Sequence, residues 1–216
     1  MTNLDDFSTL ILGIQNHLCK DVKSLDVYCQ YYEEALDFME LVYILPKNEF
    51  TTKRMNLIGR NLALTIYFSI YNMCDEAQIL LRQILDLIYI ILYGANHVLE
   101  LDLIDKGKID LIGNIKSDIN KRLPKKELRS YVNNLYRNLS CVVHGTVENI
   151  LSQVAILSEN WNSPNKFSHW KRNFHQTLEY SLCLSRSWFP NEYAMLDTST
   201  RARFEKKYPS LIKFFS

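Results

Sequence analysis

The chain has few residues that interrupt regular structure, with only six glycines and five prolines among 216 residues. This composition excludes collagen-like and Gly/Pro-rich low-complexity proteins, and it predicts regular structure that runs long between breaks. Charged residues make up 23% of the chain and hydrophobic residues 47%, a balance that excludes an intrinsically disordered protein. We therefore expect one globular domain over residues 1–216, with its core at about 25–190.

Cysteine is also scarce, and neither positive nor negative charge is in large excess. The five cysteines are widely spaced, odd in number and without a CxxC or Cys/His cluster, so neither a disulfide framework nor a zinc site is expected. Because no other metal-ligand constellation is present either, we predict no metal and no cofactor. The net charge of +1 excludes a protein that is basic overall, so a nucleic-acid surface would have to be a local basic patch.

The sequence lacks a membrane-spanning or secretory segment. The apolar run Leu87–Tyr93 is too short to cross a bilayer, and the first residues lack the basic region of a secretory signal. These features predict a cytoplasmic protein with no membrane partner. Arg82 and Asp86, which precede the run, are four apart, so we expect an internal ion pair, although the arginine could instead face a site from a neighbouring helix.

A 3.6-residue period of apolar positions is present in nearly every segment, and no β alternation is convincing. The pattern predicts an all-α protein, an up-and-down helical bundle with extra terminal helices. We expect one helix to run from 53 to 93 with a kink near Asn72 and an end at Gly94. The other predicted helices cover residues 26–45, 108–122, 124–144, 146–156, 166–187, and 200 to 207 or beyond.

The most informative segment is RNLSCVVH, residues 137–144, near the end of one predicted helix. Arg137 and His144 are seven positions apart, so they lie on one face, two helical turns apart. The apolar stripe of this helix lies on a different side of the helical wheel. That stripe comprises Val132, Leu135, Tyr136, Leu139 and Val143. The pair therefore occupies a face of small polar residues suited to a cleft or a partner surface.

This arrangement resembles the Arg-x4-6-His motif of the HEPN superfamily, an all-α family with the motif on a late helix. Asn138 fits the family's preference for a polar residue after the arginine, and segment 76–86 resembles the leucine-rich long helix of bacterial HEPN-like proteins. The resemblance covers about residues 25–190. It implies a metal-independent endoribonuclease that works as a homodimer. It also implies a toxin or antiphage defence effector held inactive by an antitoxin or sensor protein.

The resemblance also implies a role for each motif residue. His144 would transfer protons, Arg137 would clamp the phosphate, and Asn138 would orient the histidine or bind the ribose or phosphate. The ribose 2′-OH would attack the adjacent phosphate and yield a 2′,3′-cyclic phosphate. A twofold dimer would combine two copies of the motif, with Tyr131 and Tyr136 as candidate interface residues.

A basic run just upstream of the motif is predicted to contact the RNA backbone through charge. Its residues are Lys121, Arg122, Lys125, Lys126 and Arg129, of which the last four are the candidate RNA-binding residues. A run of this kind is more often a solvated helix face. Two alternatives to the nuclease stay open. One is a non-catalytic HEPN-like module for dimerisation or for binding a nucleotide, RNA or protein. The other is an unrelated bundle in which Arg137 forms a surface ion pair and His144 only contacts carbonyls at the helix end.

Overall fold

The computed structural model of the chain describes residues 25–71, 73–106, 109, 114–143 and 164–215. Every regular element in these residues is a helix, so the prediction of an all-α bundle is confirmed. The long helices are α1 (Leu25–Ile44), α2 (Glu49–Ile70), α3 (Cys74–Asn96), α6 (Lys126–Val143) and α7 (Pro164–Trp188). The short ones are α4 (Leu101–Asp105), α5 (Lys116–Lys121), α8 (Pro190–Met195), α9 (Thr198–Lys207) and α10 (Pro209–Phe215), with a 3-10 turn at Val98–Glu100.

Helix α3 is the centre of the bundle and packs against α2, α6 and α7. It is long and apolar enough to cross a membrane by those two criteria, but 72% of its most apolar stretch is buried in the bundle. A helix that is apolar on most sides is expected at the middle of a large core. The burial of α3 therefore fits the core helix of a soluble protein.

The prediction of one helix with a kink near Asn72, a residue outside the described ranges, is wrong. Helices α2 and α3 form an antiparallel hairpin around that position. Near the turn, the Thr65 hydroxyl donates to the Ala77 carbonyl at 2.8 Å, and further along the Asn61 amide donates to Gln83 Oε1 at 3.2 Å. The apolar period continues through both helices, so periodicity alone did not reveal the reversal of the chain.

Gly94 does not end α3, as the sequence analysis predicted, because the helix continues to Asn96. A Cβ atom added at Gly94 would lie 2.6 Å from Phe50 Cε1 and 2.9 Å from Leu101 Cδ2. Real Cβ atoms essentially never approach other heavy atoms so closely. Gly94 therefore permits the first turn of α2 and the start of α4 to pack directly on α3.

Trp170 of α7 is fully buried and positions that helix against α1 and α2. Its indole Nε1 donates to Thr65 Oγ1 at 3.0 Å, and its ring meets the Tyr31 ring at an angle of 72° with centroids 5.0 Å apart. The bounds of α1 and α7 agree with the predicted helices at 26–45 and 166–187 to within two residues. The helix predicted at 146–156 lies outside the described residues, and only α5 forms in the described part of 108–122.

Candidate active site on helix α6

Helix α6 buries one face and exposes the opposite face. The apolar stripe predicted from the sequence is buried at Val132, Leu135, Tyr136 and Leu139, where α6 meets α3 and α7. Its fifth member, Val143, lies at the end of the helix and its burial is not described. The opposite face is exposed, as expected for an amphipathic helix of this hydrophobic pattern.

Arg137 and Asn138 are both exposed on α6. Arg137 makes no hydrogen bond or ion pair with any other residue that the structure describes, so the surface ion pair considered above is not formed there. A guanidinium without a protein partner retains all five donors for a ligand. His144, the other predicted catalytic residue, lies outside the described residues.

A buried network on α3 holds α6 in place just behind this face. Arg82 is 7% exposed, its Nε donates to Ser140 Oγ at 2.9 Å, and its guanidinium lies over the Tyr136 ring at 3.5 Å. The guanidinium also contacts the Tyr136 hydroxyl and the Asp86 carboxylate, and the Tyr136 hydroxyl donates to Asp86 at 3.0 Å. The predicted internal pair of Arg82 and Asp86 is confirmed. Since Ser140 is one turn after Arg137, the network fixes the rotation of the motif face.

The network leaves a local excess of positive charge. Burial raises the pKa of the Asp86 carboxyl, although the contact with Arg82 opposes that effect. Lys116, the first residue of α5, places its ammonium 3.9 Å from the centre of the Tyr136 ring. Burial, and then the nearby charge of Arg82, lower the pKa of Lys116. Two cations and one carboxylate therefore lie behind the motif face, an environment that attracts anions.

A polar groove of about 280 Å³ lies between α5 and α6. It is lined by Lys116, Ser117, Asn120, Lys121, Arg129 and Asn133, with no acidic side chain among these described residues. Asn120 forms its floor, accepting from the Tyr89 hydroxyl at 2.9 Å and donating to Asn133 Oδ1 at 3.1 Å. Asn133 is one turn before Arg137, so the groove leads to the motif face. The sequence analysis missed Lys116 and Asn120 because only tertiary packing brings them beside α6.

The basic run predicted to bind RNA divides into different roles. Arg129 Nη2 donates to the carbonyl oxygens of Lys121 at 2.8 Å and Leu123 at 3.0 Å, which satisfies carbonyls at the end of α5. Its guanidinium is therefore occupied by the protein itself. Part of its side chain still lines the groove.

The other three candidate RNA-binding residues also have different surroundings from one another. Lys125 donates to the Lys213 carbonyl at 3.1 Å, and Arg122 stacks over the Trp188 ring at 3.9 Å. Lys126 is exposed and makes no hydrogen bond or ion pair with another described residue. Of the four, Lys126 is the cation best placed to meet a ligand, and it lies about 20° from Arg137 on the helical wheel.

The two tyrosines considered for a dimer interface have different surroundings. Tyr136 is 4% exposed and belongs to the Arg82 network, so its assignment as an exposed interface residue is wrong. Tyr131 is 42% exposed, with its ring 6.1 Å from the Phe214 ring. Of these two tyrosines, Tyr131 is the one available to a partner.

Among the described residues, no group of three or more histidine, cysteine, aspartate or glutamate side chains is placed to hold a metal ion. Comparison of the chain with protein-family models, with curated proteins and with solved structures finds no match. The features of the chain that bear on its function are therefore the exposed motif face of α6, the network behind it and the groove beside it.

Proposed function

We propose that the protein is a metal-independent endoribonuclease of HEPN type that acts as a homodimer, with Arg137, Asn138 and His144 at its active site. The observation that carries the proposal is the exposed Arg137, which has no polar partner among the described residues and lies next to a groove without acidic side chains, on a helix that buried contacts hold in place. A surface built only for solubility does not require a buried arginine network behind it.

The groove supplies binding for the phosphodiester backbone. Lys116 and Lys121 contribute charge, and the amide of Asn133 contributes a polar contact one turn from Arg137. Lys126 extends the same side of α6 towards its first turn. A single RNA strand along this path would place one phosphate at the guanidinium of Arg137, which is suited to bidentate contact with two phosphoryl oxygens.

The proposed reaction is an internal transesterification. The 2′-oxygen of a ribose forms a bond to the adjacent phosphorus while the bond from phosphorus to the 5′-oxygen breaks. The 2′-OH gives up its proton to a base, and the leaving 5′-oxygen gains one, so the products are a 2′,3′-cyclic phosphate and a 5′-OH. His144 carries protons, Arg137 stabilises the charge on the phosphoryl oxygens, and Asn138 contacts the ribose or phosphate.

A homodimer completes the site, because one chain contributes only one arginine and one histidine to the motif. A twofold axis near α6 would bring two motifs together in one composite cleft. The exposed Tyr131 ring is a contact available for that interface. In this proposal the protein is a cytoplasmic toxin or defence effector that an antitoxin or sensor protein keeps inactive.

The test is cleavage of RNA by the purified full chain in EDTA, with the ends of the products identified by mass spectrometry. We expect Arg137→Ala and His144→Ala to lower the rate by about 100-fold or more, as for loss of a proton-transfer or oxyanion-stabilising group. Arg60→Ala is the matched control, because Arg60 is an exposed arginine on α2. If both motif variants fold and cleave at the wild-type rate, the proposal is wrong.

One observation favours a second candidate, a non-catalytic RNA-binding module of the same fold. The groove with Lys116 and Lys121 adjoins Arg137, and this positive charge can hold an RNA backbone without any group that transfers protons. Filter binding separates the candidates. If RNA binding depends on Lys116, Lys121 and Arg137 but the wild-type protein leaves the RNA intact, the chain is the binding module.

A further inference from the structure

A second cleft lies on another side of the bundle, between α1 and α7, with the end of α9 beside it. Its volume is about 520 Å³, and none of its lining residues belongs to α5 or α6. Clefts of this size typically bind small molecules. The titratable residues that line it are Glu34, Lys171, Arg172, His175, Glu179 and Lys207, together with the buried Tyr31.

Glu34 is the acceptor at the centre of this cleft. Its side chain is 5% exposed. The carboxylate accepts hydrogen bonds from His175 Nδ1 at 3.1 Å, from Lys207 Nζ at 2.8 Å and from the Tyr208 hydroxyl. Burial alone would favour the protonated acid, but the hydrogen bonds from His175, Lys207 and Tyr208 outweigh it and hold the pKa of Glu34 below its usual range. The charge of Lys207 is therefore neutralised within the cleft.

The same contact orients His175. Because the Glu34 carboxylate accepts a hydrogen bond, the proton of a neutral His175 ring belongs on Nδ1, and Nε2 takes no part in this contact. The Tyr208 ring packs beside the imidazole with centroids 4.8 Å apart, and the side chain of His175 is 37% exposed. His175 is thus held at a fixed angle while part of its ring remains accessible to a ligand.

Two further cations in the cleft are not neutralised. Lys171 and Arg172 are exposed on α7, and neither forms an ion pair or hydrogen bond with another described residue. The other acidic group of the cleft, Glu179, is buried and accepts from the Ser210 backbone N–H at 2.9 Å. The exposed charge of the cleft is therefore positive, although two buried carboxylates lie beneath it.

We propose that this cleft binds a small ligand that carries a phosphate group, through the guanidinium of Arg172 and the ammonium of Lys171, while Nε2 of His175 accepts from a hydroxyl of the ligand. A guanidinium matches two phosphate oxygens at once, and an ammonium adds a point charge. Glu34 acts as a positioning residue, since it is buried and reaches the ligand only through His175. The volume is within the range of clefts that bind metabolites. None of the lining residues is shared with the RNA groove, so the two sites are distinct.

The binding test is isothermal titration calorimetry of the full chain with inorganic phosphate and with adenosine monophosphate as probes. We expect saturable binding of at least one probe at one site per chain. Arg172→Gln and Lys171→Gln should each weaken it at least tenfold, while Lys206→Gln, an exposed lysine on α9 outside the cleft, should leave it unchanged. No saturable binding of either probe, or an equal loss in the Lys206→Gln control, would overturn the proposal.

The role of Glu34 has its own readout. In Glu34→Gln, we expect the ring-nitrogen chemical shifts of His175 to move away from those of a single tautomer, together with weaker probe binding. A change in stability without a change in those shifts would contradict the positioning role.

The small-ligand proposal and the ribonuclease proposal can be tested independently of each other. Arg172→Gln should retain RNA cleavage, and Arg137→Ala should retain probe binding. If Arg172→Gln abolishes RNA binding and the probes compete with RNA, the cleft is part of an RNA surface, and the proposal of a separate small-ligand site is wrong.

Discussion

Replacement of Arg82 by methionine is the most informative perturbation of the network behind the motif face. Methionine keeps much of the aliphatic volume but removes the guanidinium that contacts Asp86, Tyr136 and Ser140. The Asp86 carboxylate then loses its cation while its side chain stays only 24% exposed. An isolated charge of this kind is costly, whereas an apolar residue in place of each partner is tolerated.

The expected loss of stability follows from how deeply the Arg82–Asp86 pair is buried. Breaking a buried ion pair by removing one partner costs about 3–5 kcal/mol of unfolding free energy. Because Asp86 is partly exposed and keeps the Tyr136 hydroxyl as a donor, we expect the lower end, about 3 kcal/mol, for Arg82→Met. The double variant Arg82→Met/Asp86→Leu should lie within about 1 kcal/mol of wild type, because no unpaired charge remains and only neutral groups, the Tyr136 and Ser140 hydroxyls, lose hydrogen bonds.

Urea denaturation followed by circular dichroism measures these differences, with unchanged m-values as the sign that the variants unfold similarly. The coupling free energy between the two positions should be at least about 2 kcal/mol, because the second substitution restores about that much of the stability lost in Arg82→Met. A loss below about 1 kcal/mol for Arg82→Met would show that the pair behaves like a surface ion pair, and the reasoning from burial would be refuted. RNA cleavage adds a second readout. A double variant with restored stability but lowered cleavage would identify Arg82 as a positioning residue for α6.

Three further predictions concern stability. Gly94→Ala should lower the free energy of unfolding by about 1–3 kcal/mol, because its Cβ would meet Phe50 at 2.6 Å, and an unchanged melting temperature would contradict this packing. Gly59→Ala, the matched change in α2, should raise it by up to about 1 kcal/mol through helix propensity, because its Cβ meets only Met39, at 3.4 Å or more. Glu34→Gln should lower stability at neutral pH. Since the pKa of Glu34 is depressed in the folded protein, its contribution is present above the unfolded value of about 4.3 and is lost as pH falls, so the variant should lose less stability on acidification. Parallel pH profiles for the two proteins would refute that assignment.

Comparison of particular elements shows where sequence reasoning succeeded. The buried stripe of α6 was predicted correctly at Val132, Leu135 and Leu139, because a 3.6-residue period is a local property. The bounds of α1 and α7 followed for the same reason. The exposure of Arg137 and Asn138 also followed, since both lie off the apolar stripe.

The errors have a common physical cause. The hairpin at Asn72 was missed because no proline or glycine marks the reversal, and Gly94 was misassigned because its small size is needed by Phe50, 44 positions earlier in the chain. The cations of the basic run looked equivalent in sequence, but their partners are a carbonyl on α10, the Trp188 ring and the end of α5. The first two of these contacts join elements more than 60 positions apart, and the third joins the consecutive helices α5 and α6.

The sequence by itself determined the helical class, the apolar faces and the polar face that carries the motif, because these depend on the order of residues within a few turns. Only the tertiary structure decided which charges are free. It places Arg82 behind Ser140, 58 positions away, and joins Glu34 to His175 across 141 positions. Whether a charged side chain is neutralised or available to a ligand depends on its neighbours in space, and helix packing sets those neighbours.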